Sequence, residues 1–402
     1  MERGYVKVKI SPKAERSLRL GHPWVYGEEI AEVAGTYENG DIVDVYTQKD
    51  RFMGSGFIND NSKIRVRLVS RNANDRFDEA FWRRRVRYAL DYRRQVMGGD
   101  FVCCRLIFGE ADQFPGLTVD RFGDVLVTQT LCLGTERLKD VIFPAIVEAL
   151  RDMGQEINVL YERNDAAIRE KEGMSRYKGF YLGSGNGHVE ICENGIFYDV
   201  DYIDGQKTGF FLDQKYNRLA AAKLARGRRV LDCFTHTGSF GLNAAKCGAE
   251  HVTSVDISAA AIELAKANCA RNGLEDRMDF VVADVFDLLT EMAGEKKCGY
   301  DYIILDPPAF TKSSATVKAA YRGYKEINLK AMRLLPRGGY LATCSCSHFM
   351  TEELFKKMLR EAAADAGVSL RQIEARQQSP DHPILWNVPE TDYLKFFIFQ
   401  VV

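Results

Sequence analysis

The stretch Arg229-Val-Leu-Asp-Cys-Phe-Thr-His-Thr-Gly-Ser-Phe240 decides the fold expected for this chain. The apolar residues Val230 and Leu231 run into Asp232, a turn closes at Gly238, and small residues that favour a helix follow. A buried strand that passes through a tight turn into a helix begins a doubly wound α/β sheet, in which ligands bind beyond the carboxyl ends of the strands. Asp232 is therefore predicted at the lip of a cofactor site, although an ordinary turn with a surface Asp has the same pattern.

The turn contains one glycine and lacks the G-x-G-x-x-G spacing of dinucleotide-binding folds. Without closely spaced glycines a pyrophosphate cannot approach the backbone, which disfavours an NAD-dependent oxidoreductase. A small cofactor without phosphate suits such a turn, and S-adenosylmethionine (SAM) fits this description. Asp256, at the end of the next predicted strand, can accept the ribose hydroxyls of either cofactor, so the missing glycines are what separates SAM from NAD.

The sequence from about residue 188 alternates between strands and helices. Strands are predicted at 230–232, 251–256, 278–282, 302–306, 339–344 and 394–401, and helices at 259–271 and 324–335. Four successive strands end on an acid, at Asp232, Asp256, Asp284 and Asp306. We expect Asp284 to accept a hydrogen bond from an adenine amino group, and the alternative is that it caps the helix that follows.

Asp306-Pro-Pro308 predicts a rigid ledge, because each proline fixes φ and lacks an N–H. An acid on such a ledge can hold a planar substrate. In an amino-methylating enzyme it would grip the target amine, and in a carbon-methylating enzyme it would hydrogen-bond N3 of a pyrimidine. The alternative is a proline-rich strand exit without a function.

Thr343-Cys-Ser-Cys-Ser347 separates these two chemistries. Carbon 5 of cytosine becomes nucleophilic only after a thiolate attacks C6, which requires a cysteine at a strand end beside the acid-Pro-Pro ledge. Cys346 is predicted there, and its activation needs a lowered thiol pKa or a nearby base. Cys344 is predicted deeper in the strand and is assigned to packing. Two buried structural cysteines are the alternative interpretation.

Composition is that of a soluble globular protein, with 46% apolar and 28% charged residues in 402, which predicts two to three domains. No apolar segment follows a basic N-terminal region, and no apolar run approaches the roughly 18 residues that cross a bilayer. We therefore expect a cytoplasmic protein without a signal peptide. The ten cysteines show no zinc spacing, so no metal site is predicted and most thiols are expected to be reduced core residues.

Three domains are predicted, at 1–72, 73–187 and 188–402. The first is β-rich, and its last strand places Lys63, Arg65 and Arg67 on one face. The second begins with a basic helix over residues 76–97 that contains Arg83, Arg84 and Arg85, and it continues as a small α+β linking domain. Residues 63–94 contain 11 Lys and Arg against 4 Asp and Glu, a local charge of +7 in a chain of net charge −1. These cations are interpreted as RNA contacts, and solvated faces are the alternative.

Several strings together resemble one family. Gly21-His-Pro-Trp-Val-Tyr26, with the strands at 52–58 and 63–69, is similar to a PUA domain, an RNA-binding pseudo-barrel. Four further strings resemble the RlmI-like 23S rRNA (cytosine-5) methyltransferases: Thr208-Gly-Phe-Phe-Leu-Asp-Gln214, Val230-Leu-Asp-Cys-Phe-Thr-His-Thr-Gly238, Asp306-Pro-Pro308 and Ser345-Cys-Ser347. The resemblance covers essentially the whole chain. It implies a PUA domain, a small α+β domain and a Rossmann-like SAM-dependent methyltransferase domain in this order.

The resemblance also implies roles for individual residues. It implies that SAM is the cofactor, that Cys346 is the nucleophile and that Asp306 contacts the target nucleobase. It places twelve residues at the cofactor: Phe211, Asp213, Gln214, Asp232, Phe234, Thr237, Gly238, Asp256, Ile257, Asp284, Val285 and Asp306. Three positions depart from the family pattern, namely His236 for a frequent Tyr, Cys344 as a second thiol, and His348 for a Gly. We interpret His348 as a helix-start residue rather than a proton shuttle.

The leading hypothesis is a SAM-dependent methyltransferase that forms 5-methylcytosine in large-subunit (23S) rRNA through a covalent cysteine adduct. One alternative methylates an exocyclic amine of adenine or guanine in rRNA, with the thiols idle. Another is a non-catalytic RNA-binding protein, against which the intact strand-end acids argue. The sequence leaves the target nucleotide and the oligomeric state open, and a homodimer is compatible with it.

Overall fold

The computed structural model describes residues 3–295 and 299–402, which divide into two compact units. The first unit contains residues 1–191, 200–212 and 380–391, and the second contains 192–199, 213–379 and 392–402. In the part of the chain that is described, no helix is long and apolar enough to cross a membrane.

A six-stranded sheet forms the beginning of the first unit. Its elements are β1 (Val6–Ile10), α1 (Pro12–Arg19), β2 (Trp24–Tyr26), β3 (Ile30–Ala34), β4 (Ile42–Thr47), β5 (Phe52–Ile58) and β6 (Ile64–Ser70), in the strand order β2-β6-β5-β4-β1-β3. Alternation contributes to the core, because Val66 of β6 points inward between the partly exposed Arg65 and Arg67. Gly56 allows a close approach of β5 and β6, since a Cβ there would lie 2.2 Å from the carbonyl oxygen of Arg67.

A five-stranded sheet and a long helix complete the first unit. The elements are α2 (Glu79–Met97), β7 (Cys103–Phe108), β8 (Leu117–Phe122), β9 (Val125–Thr130), α3 (Leu133–Arg137), α4 (Lys139–Asp152), β10 (Val159–Asn164), α5 (Ile168–Lys171) and β11 (Tyr177–Leu182), with the strand order β11-β10-β9-β8-β7. Helix α2 begins at the N-cap Asp78, which accepts the backbone N–H of Phe81, and it packs on α4 and β7.

The second unit is built on a seven-stranded sheet. A hairpin of β12 (His188–Glu193) and β13 (Ile196–Asp201) precedes it, and the residues of this hairpin are divided between the two units. The strands of the sheet and the helices that connect them are α6 (Lys215–Ala222), β14 (Arg229–Cys233), α7 (Ser239–Lys246), β15 (His251–Asp256), α8 (Ala259–Arg271), β16 (Met278–Val282), α9 (Val285–Glu295), β17 (Tyr302–Leu305), α10 (Val317–Leu334), β18 (Tyr340–Ser345), α11 (Glu352–Ala366), β19 (Leu370–Arg376) and β20 (Lys395–Val401). The strand order is β16-β15-β14-β17-β18-β20-β19, parallel except for β20, which is antiparallel to both neighbours.

Helices cover both faces of this sheet. Leu231 and Cys233 of β14 point into a core shared with α9, α10 and α11, whereas Asp232 points toward α7. The strand order reverses direction at β14, the point at which doubly wound sheets bind ligands. The predicted Rossmann-like α/β fold, preceded by a β-rich module and an α+β region, is therefore confirmed.

The sequence predicted the regular elements closely. Strands β5, β15 and β16 and helix α8 have the predicted bounds, while α10 begins seven residues earlier than predicted. The hairpin β12–β13 and the strands β8, β11 and β19 were not predicted.

Candidate active site

Asp232 is completely buried near the carboxyl end of β14, so the alternative of a surface Asp is wrong, and its cofactor role stays a prediction. Its Oδ2 accepts the backbone N–H of Gly241 at 2.9 Å, a short hydrogen bond from the Thr235 hydroxyl and a longer one from Ser254. Burial raises the pKa of Asp232 to about 7. The carboxyl therefore ties the start of α7 to the end of β14 and fixes the shape of the turn between them.

The turn after β14 has an unusual backbone. Phe234, His236 and Gly238 all adopt positive φ, at 62°, 49° and 81°. The first two are strained for residues with a side chain, and such strain is common at ligand sites. A Cβ on Gly238 would also lie 3.1 Å from Cβ of Ala265, so helix α8 leaves no free space at this glycine. The side chain of Thr237, within this turn, is buried.

Asp256 holds the adjacent strand end in place. One carboxylate oxygen accepts the backbone N–H of His236 at 3.0 Å, and the other accepts that of Ser258 at 2.9 Å. Each oxygen keeps a second lone pair that can accept a hydroxyl. The neighbouring Ile257 is 68% exposed, which is unusual for a side chain of its size and offers an apolar surface beside the carboxylate.

Asp284 caps helix α9, as its alternative interpretation predicted. Its Oδ1 accepts the backbone N–H of Phe286 at 2.7 Å. The next residue, Val285, is almost completely buried, so it is the neighbouring backbone rather than this side chain that can face a ligand.

Asp306 follows β17 and lies beside a cysteine and an amide. Its Oδ1 accepts hydrogen bonds from Cys344 Sγ at 2.9 Å and from Gln214 Nε2 at 3.1 Å. Burial raises the pKa of the Asp306 carboxyl, and burial also raises the pKa of the Cys344 thiol well above its usual range. Cys344 therefore remains a protonated donor toward Asp306, a polar role that the sequence did not predict.

The residues of the Gly-Phe-Phe-Leu-Asp-Gln string are divided between the two units. Gln214 is buried, and its amide oxygen accepts a hydrogen bond from Asn217 at 2.7 Å, which orients the amide toward Asp306. Asp213 is also buried and accepts the hydroxyl of Tyr393 at 2.6 Å. Phe211 belongs to the first unit, where the ammonium of Lys207 lies 4.3 Å from its ring centroid. Its cofactor role stays a prediction.

Cys346 lies just beyond β18, in a turn held by three neighbours. The carbonyl of Ser347 accepts Lys395 Nζ at 2.7 Å, and its hydroxyl is 3.0 Å from that of Tyr324. The backbone N–H of Ser347 is 3.3 Å from the hydroxyl of Ser345. Unlike Cys344, Cys346 is only partly buried.

His348 is not a helix-start residue, contrary to the prediction. Helix α11 begins at Glu352, and its N-cap is Thr351, whose side chain accepts the backbone N–H of Leu354. His348 lies in the turn between Cys346 and this cap, against the ring of Phe349. A hydroxyl at the N-cap satisfies the helix start, which leaves the imidazole without that role.

Two family models match the chain, a PUA-like domain over residues 8–71 and an S-adenosylmethionine-dependent methyltransferase domain over residues 179–400. The ribosomal RNA large subunit methyltransferase I of Shewanella denitrificans is 41% identical over 400 residues, which cover 98% of this chain and 99% of that protein. The chain belongs to the ribosomal RNA large subunit methyltransferase I family. The ribosomal RNA large subunit methyltransferase I of Aeromonas hydrophila is 42% identical to this chain over 394 residues, which cover 96% of this chain and 97% of that protein.

Similarity to a solved structure shows the same fold for this methyltransferase. A protein from Streptococcus mutans, described as a SAM-dependent methyltransferase, superposes with a TM-score of 0.82 at 24% identity over 98% of this chain and 100% of that chain. The cofactor of this family is SAM.

The turn after β14 fits SAM on an observation independent of the family. Asp232 Oδ1 is buried and has no hydrogen-bond partner among the described residues, although buried carboxylate oxygens are normally paired. A bound molecule with an amine or hydroxyl donor would satisfy this oxygen. Together with the remaining lone pairs of Asp256 beside the strained turn, it gives a set of acceptors that suits the amine and hydroxyl groups of SAM.

The arginines predicted to bind RNA have acidic partners in the first unit. These pairs are Arg65 with Asp60, Arg67 with Glu110 and Glu172, Arg83 with Glu79 and Glu148, and Arg84 and Arg85 with Asp75. Lys63 is exposed. Lys63 precedes β6, and Arg65 and Arg67 lie within it. Much of the local charge of +7 is compensated by acids from elsewhere in the chain. The contact of these cations with RNA stays a prediction.

Trp386 is a surface residue that the sequence interpretation missed. Its side chain is 96% exposed. Its segment is attached to the PUA-like domain, because Asn387 donates to the carbonyl of Gly21 and His22 Nε2 is 3.1 Å from Glu390. Leu20, next to that contact, is also largely exposed. Its position near the C-terminus gave no signal, since the segment reaches this domain only through tertiary contacts.

Proposed function

We propose that this protein forms 5-methylcytosine in large-subunit (23S) rRNA through a covalent adduct with Cys346. One observation carries the proposal: a thiol at the end of β18 and a carboxyl at the end of β17 lie on hydrogen-bonded neighbouring strands. The thiol is only partly buried, and the carboxyl is buried with a raised pKa. A pair of this kind suits addition to a pyrimidine ring better than transfer to an amine, which needs no nucleophilic thiol.

In the proposed reaction the Cys346 thiolate forms a bond to C6 of cytosine, and the electron pair of the C5–C6 double bond moves into the ring toward N3. Asp306 in its protonated form donates a hydrogen bond to N3 and stabilises that charge. Burial raises the pKa of Asp306, which favours the protonated form, and Gln214 and Cys344 hold the carboxyl in place. Loss of the C5 proton to a base and expulsion of the thiolate restore the aromatic ring after methylation.

SAM supplies an electrophilic methyl group when bound. We propose that the β14 turn and its neighbours hold the cofactor through Asp213, Gln214, Asp232, Phe234, Thr237, Gly238, Asp256, Ile257, Asp284, Val285 and Asp306, with Phe211 contributed by the preceding segment. Asp256 would accept the ribose hydroxyls, and the exposed Ile257 would lie against the adenine. One carboxylate oxygen of Asp284 caps α9. The other oxygen, or the adjacent backbone, would therefore make the proposed contact with adenine.

RNA binding is proposed for the first unit. Exposed Trp386 provides a face for base stacking, and Arg16 and Lys63 are exposed cations on the same domain. The predicted arginines 65, 67 and 83–85 would contribute where a phosphate competes with their acidic partners. A cytoplasmic location, the domain boundaries 1–72, 73–187 and 188–402, and a homodimer belong to the same proposal, and sedimentation velocity tests the dimer.

The test is nucleoside mass spectrometry of 23S rRNA from a strain that lacks the gene. We expect one 5-methylcytosine to disappear, wild-type protein to restore it and the Cys346→Ala variant to fail. Loss of an N-methylated adenine or guanine instead, restored equally by both proteins, would show that the amine-methylating alternative is correct.

A further inference from the structure

The first residue of β20, Lys395, is a buried cation in an otherwise apolar strand. Its side chain is only 4% exposed, and the five residues that follow it are Phe, Phe, Ile, Phe and Gln. In the antiparallel pairing of β18 with β20, Lys395 lies opposite Ser345, one residue before Cys346. Burying an ammonium group costs desolvation free energy, so a functional reason for a lysine at this position is expected.

Two backbone carbonyls fix the ammonium in place. Lys395 Nζ donates to Ser347 O at 2.7 Å and to Tyr393 O at 2.9 Å. The first bond ties the ammonium to the residue that follows Cys346, and neutral carbonyls do not compensate the charge. Burial lowers the pKa of Lys395 to about 8, and the neighbouring acidic groups, Cys346 foremost, act in the opposite direction.

Other titratable groups near the ammonium have a smaller effect on the pKa of Lys395. They are Asp392 before β20, Cys344 on β18 and Glu352 at the start of α11, and His348 acts in turn on Asp392. The described residues place no carboxylate in an ion pair with Lys395. The charge is therefore available to the sulfur that the proposed reaction needs as an anion.

We propose that Lys395 is a positioning residue that stabilises the thiolate of Cys346 and fixes the turn around it. The thiol proton leaves to solvent, and the ammonium supplies the positive charge beside the resulting anion, so no co-reactant is required. Lys395 acts through Cys346 and touches neither substrate nor cofactor. This inference rests on the proposed role of Cys346 as the nucleophile, but it concerns a property of the thiol that exists without RNA or SAM.

The test measures alkylation of each cysteine by iodoacetamide across a range of pH, resolved by peptide mass spectrometry, in the free protein. In the wild type we expect Cys346 to react with a half-maximal pH below that of the exposed Cys192. Lys395→Gln removes the charge but keeps a donor, and we expect Cys346 to react at least tenfold more slowly near neutral pH, because loss of an adjacent opposite charge shifts a pKa by about 1–3 units. Lys395→Arg should recover most of the rate.

Controls in the same digest separate this effect from unfolding. Cys192 should keep its rate in every variant, and the buried Cys233 should stay protected unless the fold is lost. Lys330→Gln is the matched control, because Lys330 also donates to a backbone carbonyl, that of Phe286, and its acidic partner is Glu326.

Two results would overturn the inference. One is an unchanged pH profile of Cys346 in a folded Lys395→Gln protein. The other requires no variant and is a wild-type Cys346 that titrates no lower than Cys192. If Lys395 controls the thiol as expected but Cys346→Ala still methylates RNA, the inference stands and the proposed cytosine chemistry fails.

Discussion

The sharpest prediction separates the two thiols, since Cys344 and Cys346 are only two residues apart. Cys344 is buried and donates to Asp306 Oδ1 at 2.9 Å, where Gln214 Nε2 is the second donor at 3.1 Å. Cys344→Ala removes one of two donors from a buried carboxyl, which costs about 1–3 kcal/mol. If this loss falls on the transition state, methylation slows roughly 5- to 150-fold. Cys344→Ser keeps a hydroxyl donor and should recover part of that loss.

The assay traps the covalent intermediate on target RNA that contains 5-fluorocytosine, because the fluorine at C5 cannot leave as a proton. Wild-type protein and SAM should give an adduct that survives denaturation. Cys346→Ala should give none, while its affinity for SAM by calorimetry stays near wild type. Cys344→Ala should still form the adduct, at the reduced rate. The reasoning is refuted if Cys344→Ala abolishes the adduct and Cys346→Ala retains it, because the nucleophile would then be the buried thiol.

Other predictions concern the cofactor turn and the first unit. Burial raises the pKa of Asp232 to about 7, so between about pH 4 and 7 the folded state keeps a proton that the unfolded state has released. The free energy of unfolding should therefore fall as the pH rises through this range. Urea titrations of the Asp232→Asn variant should show a smaller dependence of this free energy on pH. Asp256→Ala should weaken SAM binding by roughly 1–3 kcal/mol in calorimetry, whereas unchanged affinity would remove it from the ribose site. Trp386→Ala should weaken RNA binding by about 1–3 kcal/mol in filter binding without changing its salt dependence, as lost stacking does, and a reduced salt slope would contradict this. Alanine at all three arginines of residues 83–85 should weaken binding and flatten the salt slope, and an unchanged slope would assign them to the ion pairs of the fold.

The ion pairs explain why charge counted along a sequence can mislead. Arg67 finds its acids 43 and 105 residues away, and Arg83 finds one of its partners 65 residues away. A tally over a short window cannot include them. The exposed Trp386, by contrast, gave no signal in composition, because one tryptophan in a mixed segment carries no pattern. The charge tally and the exposed aromatic side chain therefore point to different residues of the first unit.

The sequence by itself determined the doubly wound sheet and most of its strands. Buried parallel strands are short apolar runs and surface helices repeat every 3.6 residues, so both depend on residues close together in the chain, and α8 was predicted with its observed bounds. The strand-end acids and the Asp-Pro-Pro step were likewise visible, because parallel strands bring their carboxyl ends to one edge.

Only the tertiary structure decided what each of those residues does. It buried Asp232, made Asp284 a helix cap, directed the Cys344 thiol to Asp306 and brought the Lys395 ammonium to the carbonyl of Ser347. Burial, pKa and hydrogen-bond partners depend on groups that are distant in sequence: 38 residues separate Cys344 from Asp306, and 92 separate Gln214 from it. Such distances carry no periodicity, so the role of a polar side chain is set by the packed fold and not by its neighbours in the chain.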